Sequence, residues 1–192
     1  VTPASRPIRD ADLAVTPWRN GTGRKADIAS GPGWTVAYAW LDGDAAFSDY
    51  SGHDRTIALI EGPGFELRSP DGAVALRVDA PFRPAAFDGG AALHCRILGG
   101  ACRVVNVMTE RRATLHSVGI LGDAAQRVTA PGDGESIVIV ILRGSVTIEA
   151  DGGAVRLERY DALEVTESVR LAGDPGWRAA LYTIRPASRS GR

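Results

Sequence analysis

Three histidines, two cysteines and one short glycine loop are the first residues of this chain to test for chemistry, because each such chemistry demands its own spacing. The stretch Val15 to Ile28, VTPWRNGTGRKADI, sets Gly21 and Gly23 just before Arg24 and Lys25. A Walker loop needs a hydroxyl after its lysine to reach magnesium, and Ala26 stands there. A dinucleotide fingerprint needs a third glycine between a strand and a helix. Positions 26 and 28 are Ala and Ile, with Pro17 upstream. The glycines therefore read as a turn rather than a phosphate cradle. Two imidazoles one residue apart on a strand would point the same way and could share a metal. His53, His94 and His116 contain no such pair, so neither metal nor cofactor is expected. No Ser-His-Asp order and no G-x-S-x-G elbow appears. Cys95 and Cys102 flank Gly99-Gly100. A two-residue hairpin there would oppose Ile97 to Cys102 and Cys95 to Val104, so buried free thiols are expected rather than a disulfide.

What is left is a set of polar residues in unusual places. Asn20 follows Pro17-Trp18-Arg19, Ser48 sits in AFSDYSGHDR, Arg55 opens an apolar strand, and Asn106 lies inside VVNVM. A strand Asn between valines is costly unless its amide is paired. It either ties a loop to the sheet or meets a ligand. Arg55 has the same two readings: its planar fork suits a carboxylate ligand, or Asp49 or Asp54 pairs with it.

The elements that must position these groups are strands. Trp34 to Leu41, Arg55 to Glu61, Gly64 to Ser69, Ala73 to Val78, Leu93 to Leu98, Cys102 to Met108, Ser136 to Leu142, Ser145 to Ala150, Ala154 to Arg159 and Trp177 to Ile184 are rich in β-branched and aromatic residues. Glycine, proline and aspartate break them apart, and no window keeps a helical period. The chain also repeats itself. Ile57 to Gly62 matches Ile139 to Gly144, Phe65 to Leu67 matches Val146 to Ile148, and DGAVALRVDAPF (71–82) matches GGAVRLERYDAL (152–163). The pattern is that of a cupin strand meander, so an all-β bicupin is predicted: two jelly-roll-like β-barrels, over residues 1–112 and 113–192.

The totals exclude several partners. The formal net charge of −1 gives no field to attract nucleic acid. The longest apolar run, Ile137 to Leu142, is of strand length, so no membrane span is expected. The first residues lack an apolar leader, and a cytoplasmic protein is expected. Arg24-Lys25 and Arg111-Arg112 read as solvated turn charges.

Three ordered blocks resemble the HutD/Ves family. Its opening P-W-[KR]-N-G-G-G-x-T-R-E-I stands here as Pro17-Trp18-Arg19-Asn20-Gly21-Thr22-Gly23-Arg24-Lys25-Ala26-Asp27-Ile28. A second block, G-P-F-S-x-F-P-G-x-x-R, reads Ala45-Ala46-Phe47-Ser48-Asp49-Tyr50-Ser51-Gly52-His53-Asp54-Arg55. A third, D-F-N-L-M, reads Val104-Val105-Asn106-Val107-Met108. The resemblance implies a metal-free bicupin linked to histidine utilisation that binds a small metabolite, with the glycine segment near the mouth of the first barrel. The family's Arg and Asp have become Ala26 and Val104, which suggests an ion pair lost as a unit.

Three readings follow. The leading one is a regulatory protein that holds a small carboxylate, with urocanate, formylglutamate and formate as candidates, through Arg55, Asn20, Asn106, Trp18 and Ser48. The second is a metal-independent isomerase or lyase in the same pocket, with Asp27, Asp49, Asp54 or His94 as its general base. The third is an interaction module whose edges form a homodimer.

Overall fold

The computed structural model of the chain describes residues 5–18 and 23–187. Among them one 3-10 turn, Asp10–Asp12, accompanies an otherwise all-strand fold. In chain order the strands are β1 (Arg6–Ile8), β2 (Val15–Pro17), β3 (Arg24–Gly31), β4 (Trp34–Leu41), β5 (Ala45–Ala46), β6 (His53–Glu61), β7 (Phe65–Arg68), β8 (Val74–Val78), β9 (Ala85–Asp88), β10 (His94–Ile97) and β11 (Cys102–Glu110). There follow β12 (Thr114–Gly122), β13 (Gln126–Val128), β14 (Ser136–Arg143), β15 (Val146–Ala150), β16 (Gly153–Leu157), β17 (Ala162–Val165), β18 (Val169–Gly173) and β19 (Arg178–Pro186). All ten strands expected from sequence are present, with ends within about two residues. The strands not expected are short or carry mixed patterns. In β3, RKADIASG, charges and small residues dilute the alternation that marks a strand.

The chain divides into two compact units, Ala14–Thr114 and Val1–Leu13 with Leu115–Arg192. The first unit has one sheet in the order β2-β3-β4-β11-β6-β9 and another in the order β5-β10-β7-β8. Their facing sides share a core in which Ile57, Leu59 and Val104 meet Phe65, Leu67 and Cys95. The second unit has sheets β1-β17-β14-β19-β12 and β13-β18-β15-β16. There Ile139, Leu163 and Ala179 pack with Val146, Ile148 and Leu171. Among the described residues no sheet closes on itself.

The sequence repeat is a repeat of strand order. Raising each label by eight turns β4-β11-β6-β9 into β12-β19-β14-β17, and β5-β10-β7-β8 into β13-β18-β15-β16. Even the irregularities recur. The ladder slips between Arg103 and Val104 opposite β6, and between Ile141 and Arg143 opposite β19. Gly62 and Gly144 follow these bulges, with φ of 95° and 72°. A side chain at Gly62 would put its Cβ 2.4 Å from the Ala101 carbonyl oxygen, so both backbone angle and space demand glycine.

Two sequence expectations need correction. The third matched segment is out by two residues. Phe65 pairs with Val78 and its counterpart Val146 pairs with Leu157, so Val78 corresponds to Leu157 rather than to Arg159. The hairpin after β15 turns tightly at Ala150↔Gly153, whereas the one after β7 is longer and bulged. A slip of two keeps every side chain on its own face, so the apolar pattern cannot reveal it. The second correction concerns Gly99-Gly100. This segment is not a hairpin: β10 pairs with β5 and β7, while β11 pairs with β4 and β6. The chain crosses from one sheet to the other there, and the Leu98 N–H donates to the Gly64 carbonyl. Cys95 and Cys102 are both buried and free.

Candidate functional site

Within the unit 14–114, the inner side of the six-stranded sheet holds a cavity of about 590 Å³. Its floor comes from β4, β6 and β11. Asn106 sits opposite Ala37 on one side and Ile57 on the other, and Arg55 sits opposite Met108. Ala37 and Ala39 also line the cavity, and their small side chains leave the space that larger strand residues would fill. Lys25 of β3, the Pro17-Trp18 segment and the loop Phe47 to Tyr50 complete the wall.

Trp18, Ser48, Arg55 and Asn106 all line this one cavity. Asn20 lies outside the described residues. Trp18 meets the Phe47 ring edge to face at 6.1 Å, and its backbone N–H donates to the Gly23 carbonyl at 2.8 Å. A Cβ on Gly23 would stand 2.8 Å from the indole, so this glycine serves close approach of the ring to the backbone. Gly23→Ala is expected to tilt Trp18 out of the cavity wall and to cost about 1 kcal/mol of stability. Near-ultraviolet circular dichroism and urea unfolding would check it; an unchanged spectrum would show that the contact is slack.

Arg55 is only 8% exposed. Its guanidinium faces the rings of Phe47, Tyr50 and Phe87 at 5.3, 5.2 and 4.9 Å. Its Nε has no hydrogen-bond partner, and no carboxylate among the described residues forms an ion pair with it. Burial pulls the group down to about 10, so it remains cationic at neutral pH. The acids nearest in sequence are committed elsewhere. Asp49 accepts from the N–H and hydroxyl of Ser51 at 2.8 and 2.7 Å. Asp54 accepts from Arg111 at 2.9 Å, and Arg111 also bonds to Asp88 and the His53 carbonyl. Arg111 is thus a brace between β6 and β9 rather than a solvated turn charge. Asn106 is 5% exposed and its Oδ1 lacks a partner.

Of the expected general bases, Asp49 lines the cavity, while Asp27, Asp54 and His94 do not. Asp27 is bound by Lys25 at 2.9 and 2.8 Å. His94 is exposed on the four-stranded sheet, beside a shallower groove of about 340 Å³. His53 lines the main cavity, a placement that its turn-like surroundings in the sequence hid. The rings around Arg55 were also missed. Phe47 and Tyr50 stood in the same sequence block, but Phe87 reaches Arg55 only because β9 pairs with β6. The lost ion pair expected at Ala26 and Val104 is not supported. Ala26 shares its row with Tyr38 and Val105, whereas Val104 shares the next row with Ala39 and Lys25. Neighbouring rows face opposite sides of the sheet, so the two positions could not have met. Among the described residues, no three His, Cys, Asp or Glu side chains gather as a metal site, and no helix is long and apolar enough to cross a membrane.

A family model described as HutD matches residues 10–179. An uncharacterized 21.2 kDa protein of Pseudomonas putida, named for the hutC 3′ region, is 28% identical over 177 residues, covering 86% of this chain and 89% of that protein. The solved structure of HutD from Pseudomonas fluorescens SBW25, obtained in a formate condition, is 22% identical with a TM-score of 0.78, covering 96% of this chain and 100% of that one. A cupin 2 conserved barrel domain protein from Leptotrichia buccalis is 8% identical with a TM-score of 0.59, covering 95% of this chain and 96% of the other. At such identities the structural likeness is one of fold, and that fold is cupin-like.

Proposed function

The chain belongs to the HutD family, and from that premise we propose that it binds a small carboxylate metabolite around Arg55 and acts as a regulatory protein of histidine utilisation. The observation that carries the reading is a buried guanidinium with no acid to meet it. A buried cation is ordinarily paired, because an uncompensated one costs several kcal/mol. Here the cavity itself offers the missing position, open to a carboxylate. Asn106 adds a second requirement. Its unpartnered Oδ1 asks for an N–H or O–H donor on the same ligand. Urocanate and formylglutamate carry such a donor, and formate does not. The link to histidine utilisation rests on the family and on the hutC neighbourhood of the relative. Each unit is read as one cupin module, its two sheets forming a jelly-roll-like barrel.

The two modules are not equivalent in this reading. From the shared ladder, Arg55 corresponds to Ile137 and Asn106 to Leu181, since Arg55↔Met108 and Asn106↔Ile57 match Ile137↔Thr183 and Ile139↔Leu181. Ile137 belongs to an apolar core against which Leu181 packs. One ligand per chain is therefore expected. The isomerase or lyase alternative rests on Asp49 and His53, which line the same cavity.

Thermal unfolding with urocanate, formylglutamate and formate tests the reading. A ligand at a hundred times its Kd adds about 2.7 kcal/mol to the folded state. A carboxylate with a donor is expected to raise the melting temperature, and calorimetry to give one site per chain. No shift with any of them at millimolar concentration, and no heat of binding, would sink the proposal.

A further inference from the structure

We propose that the ligand carries two anionic groups, an α,ω-dicarboxylate held by Arg55 at one end and by Lys25 at the other. This rests on the carboxylate reading above and narrows it. Lys25 lines the same cavity as Arg55, on the same face of the sheet but three strands away. The ladder fixes their separation. Lys25 lies in register with Ala39, Val104 and Leu59, three strand steps away, and Arg55 stands four residues along β6 from Leu59. At strand spacing those steps put the two Cα atoms on the order of 20 Å apart. Extended toward one another, two such long side chains would close much of that gap and leave room for a chain of a few carbons. A lone carboxylate could satisfy only one of them.

The present partner of Lys25 does not hold it firmly. Its Nζ lies 2.8 Å from Asp27, but the side chains are 34% and 49% exposed. Such a pair contributes little in water, so exchanging Asp27 for a ligand carboxylate costs little. Arg55 is the opposite case, buried and without an acid. The two cations would divide the labour. Arg55 supplies the desolvated, strongly held end, and Lys25 reads whether a second charge is present.

The test compares 2-hydroxyglutarate with 2-hydroxyvalerate by calorimetry; both carry a hydroxyl donor for Asn106 and they differ in the second carboxylate. The wild-type protein is expected to prefer the dicarboxylate by about three- to tenfold. Lys25→Ala should erase that preference, and Asp27→Asn, which removes the competitor, should increase it. Equal binding of the two acids by the wild type, or a preference that survives Lys25→Ala, overturns the two-anchor assignment and leaves the single-carboxylate reading standing. If neither acid binds, the two-anchor assignment falls, while the single-carboxylate reading stands or falls with the thermal unfolding described above.

Discussion

Replacing Arg55 by methionine is expected to strengthen the fold while it weakens the site. Methionine keeps the apolar stem and can pack against Phe47, Tyr50 and Phe87, the rings that now face the guanidinium. It removes a buried charge that has no acid beside it. Replacing buried ionic groups by apolar ones is often neutral or stabilising, and the lost cation–π contacts offset part of the gain, so about 1–2 kcal/mol is expected. Carboxylate affinity should fall about ten- to a hundredfold, the worth of one charge-assisted pair. The pH dependence has a definite sign. The folded pKa of Arg55, about 10, lies below that of the unfolded chain. The folded state thus holds this proton less tightly, and the cost to stability is present in full below that pH. It fades only as pH rises from there toward the unfolded value. The gain in Arg55→Met should therefore be flat from about pH 6 to pH 9 in urea unfolding. A variant that loses stability would show that Arg55 belongs to the scaffold.

The other large effect is expected at Asp161, in the second unit. This carboxylate is 6% exposed and serves three donors. Arg9 reaches it at 2.6 Å, the Asp10 N–H at 3.1 Å and the Glu158 N–H at 3.0 Å. Asp161→Ala would strand two backbone donors and an arginine. Arg9 is partly solvated and can turn to water, so most of the loss comes from the backbone. A destabilisation of about 3 kcal/mol is expected in urea unfolding, with Asp161→Asn losing less because its oxygen still accepts. A loss below about 1 kcal/mol would mean that the N-terminal segment docks mainly through the β1–β17 ladder.

Much of this was legible in the chain itself. Strands such as Trp34–Leu41 are dense in aromatic and β-branched residues, and their signal is local. The repeat was legible because both copies keep the same alternation and the same glycine after a bulge. What was hidden is non-local. Whether Arg55 has an acid depends on where Asp49 and Asp54 turn, and their partners are Ser51 and the distant Arg111. Phe87 and Lys25 reach the cavity through strand pairing, which no short window encodes. The apparent hairpin at Gly99-Gly100 failed for a similar reason: the two flanking strands find better partners in different sheets. Lys25 was in view from the start, and read as a turn charge only because β3 hides its alternation among small residues.

The pairing of β1 with β17 sets an order of events during synthesis. The unit 14–114 is contiguous and can fold once its last strand has left the ribosome. The first strand cannot find its place so early. Arg6 bonds to Glu164, 158 residues later. At about 5–20 residues per second, it waits on the order of ten to thirty seconds for its partner to be made. A waiting strand is exposed to the wrong neighbours. This one has Pro7 at its centre, which withholds one backbone donor, and Arg6, Arg9, Asp10 and Asp12 around it. Those residues keep the segment solvated and a poor template for other chains until Glu164 and Asp161 arrive to anchor it.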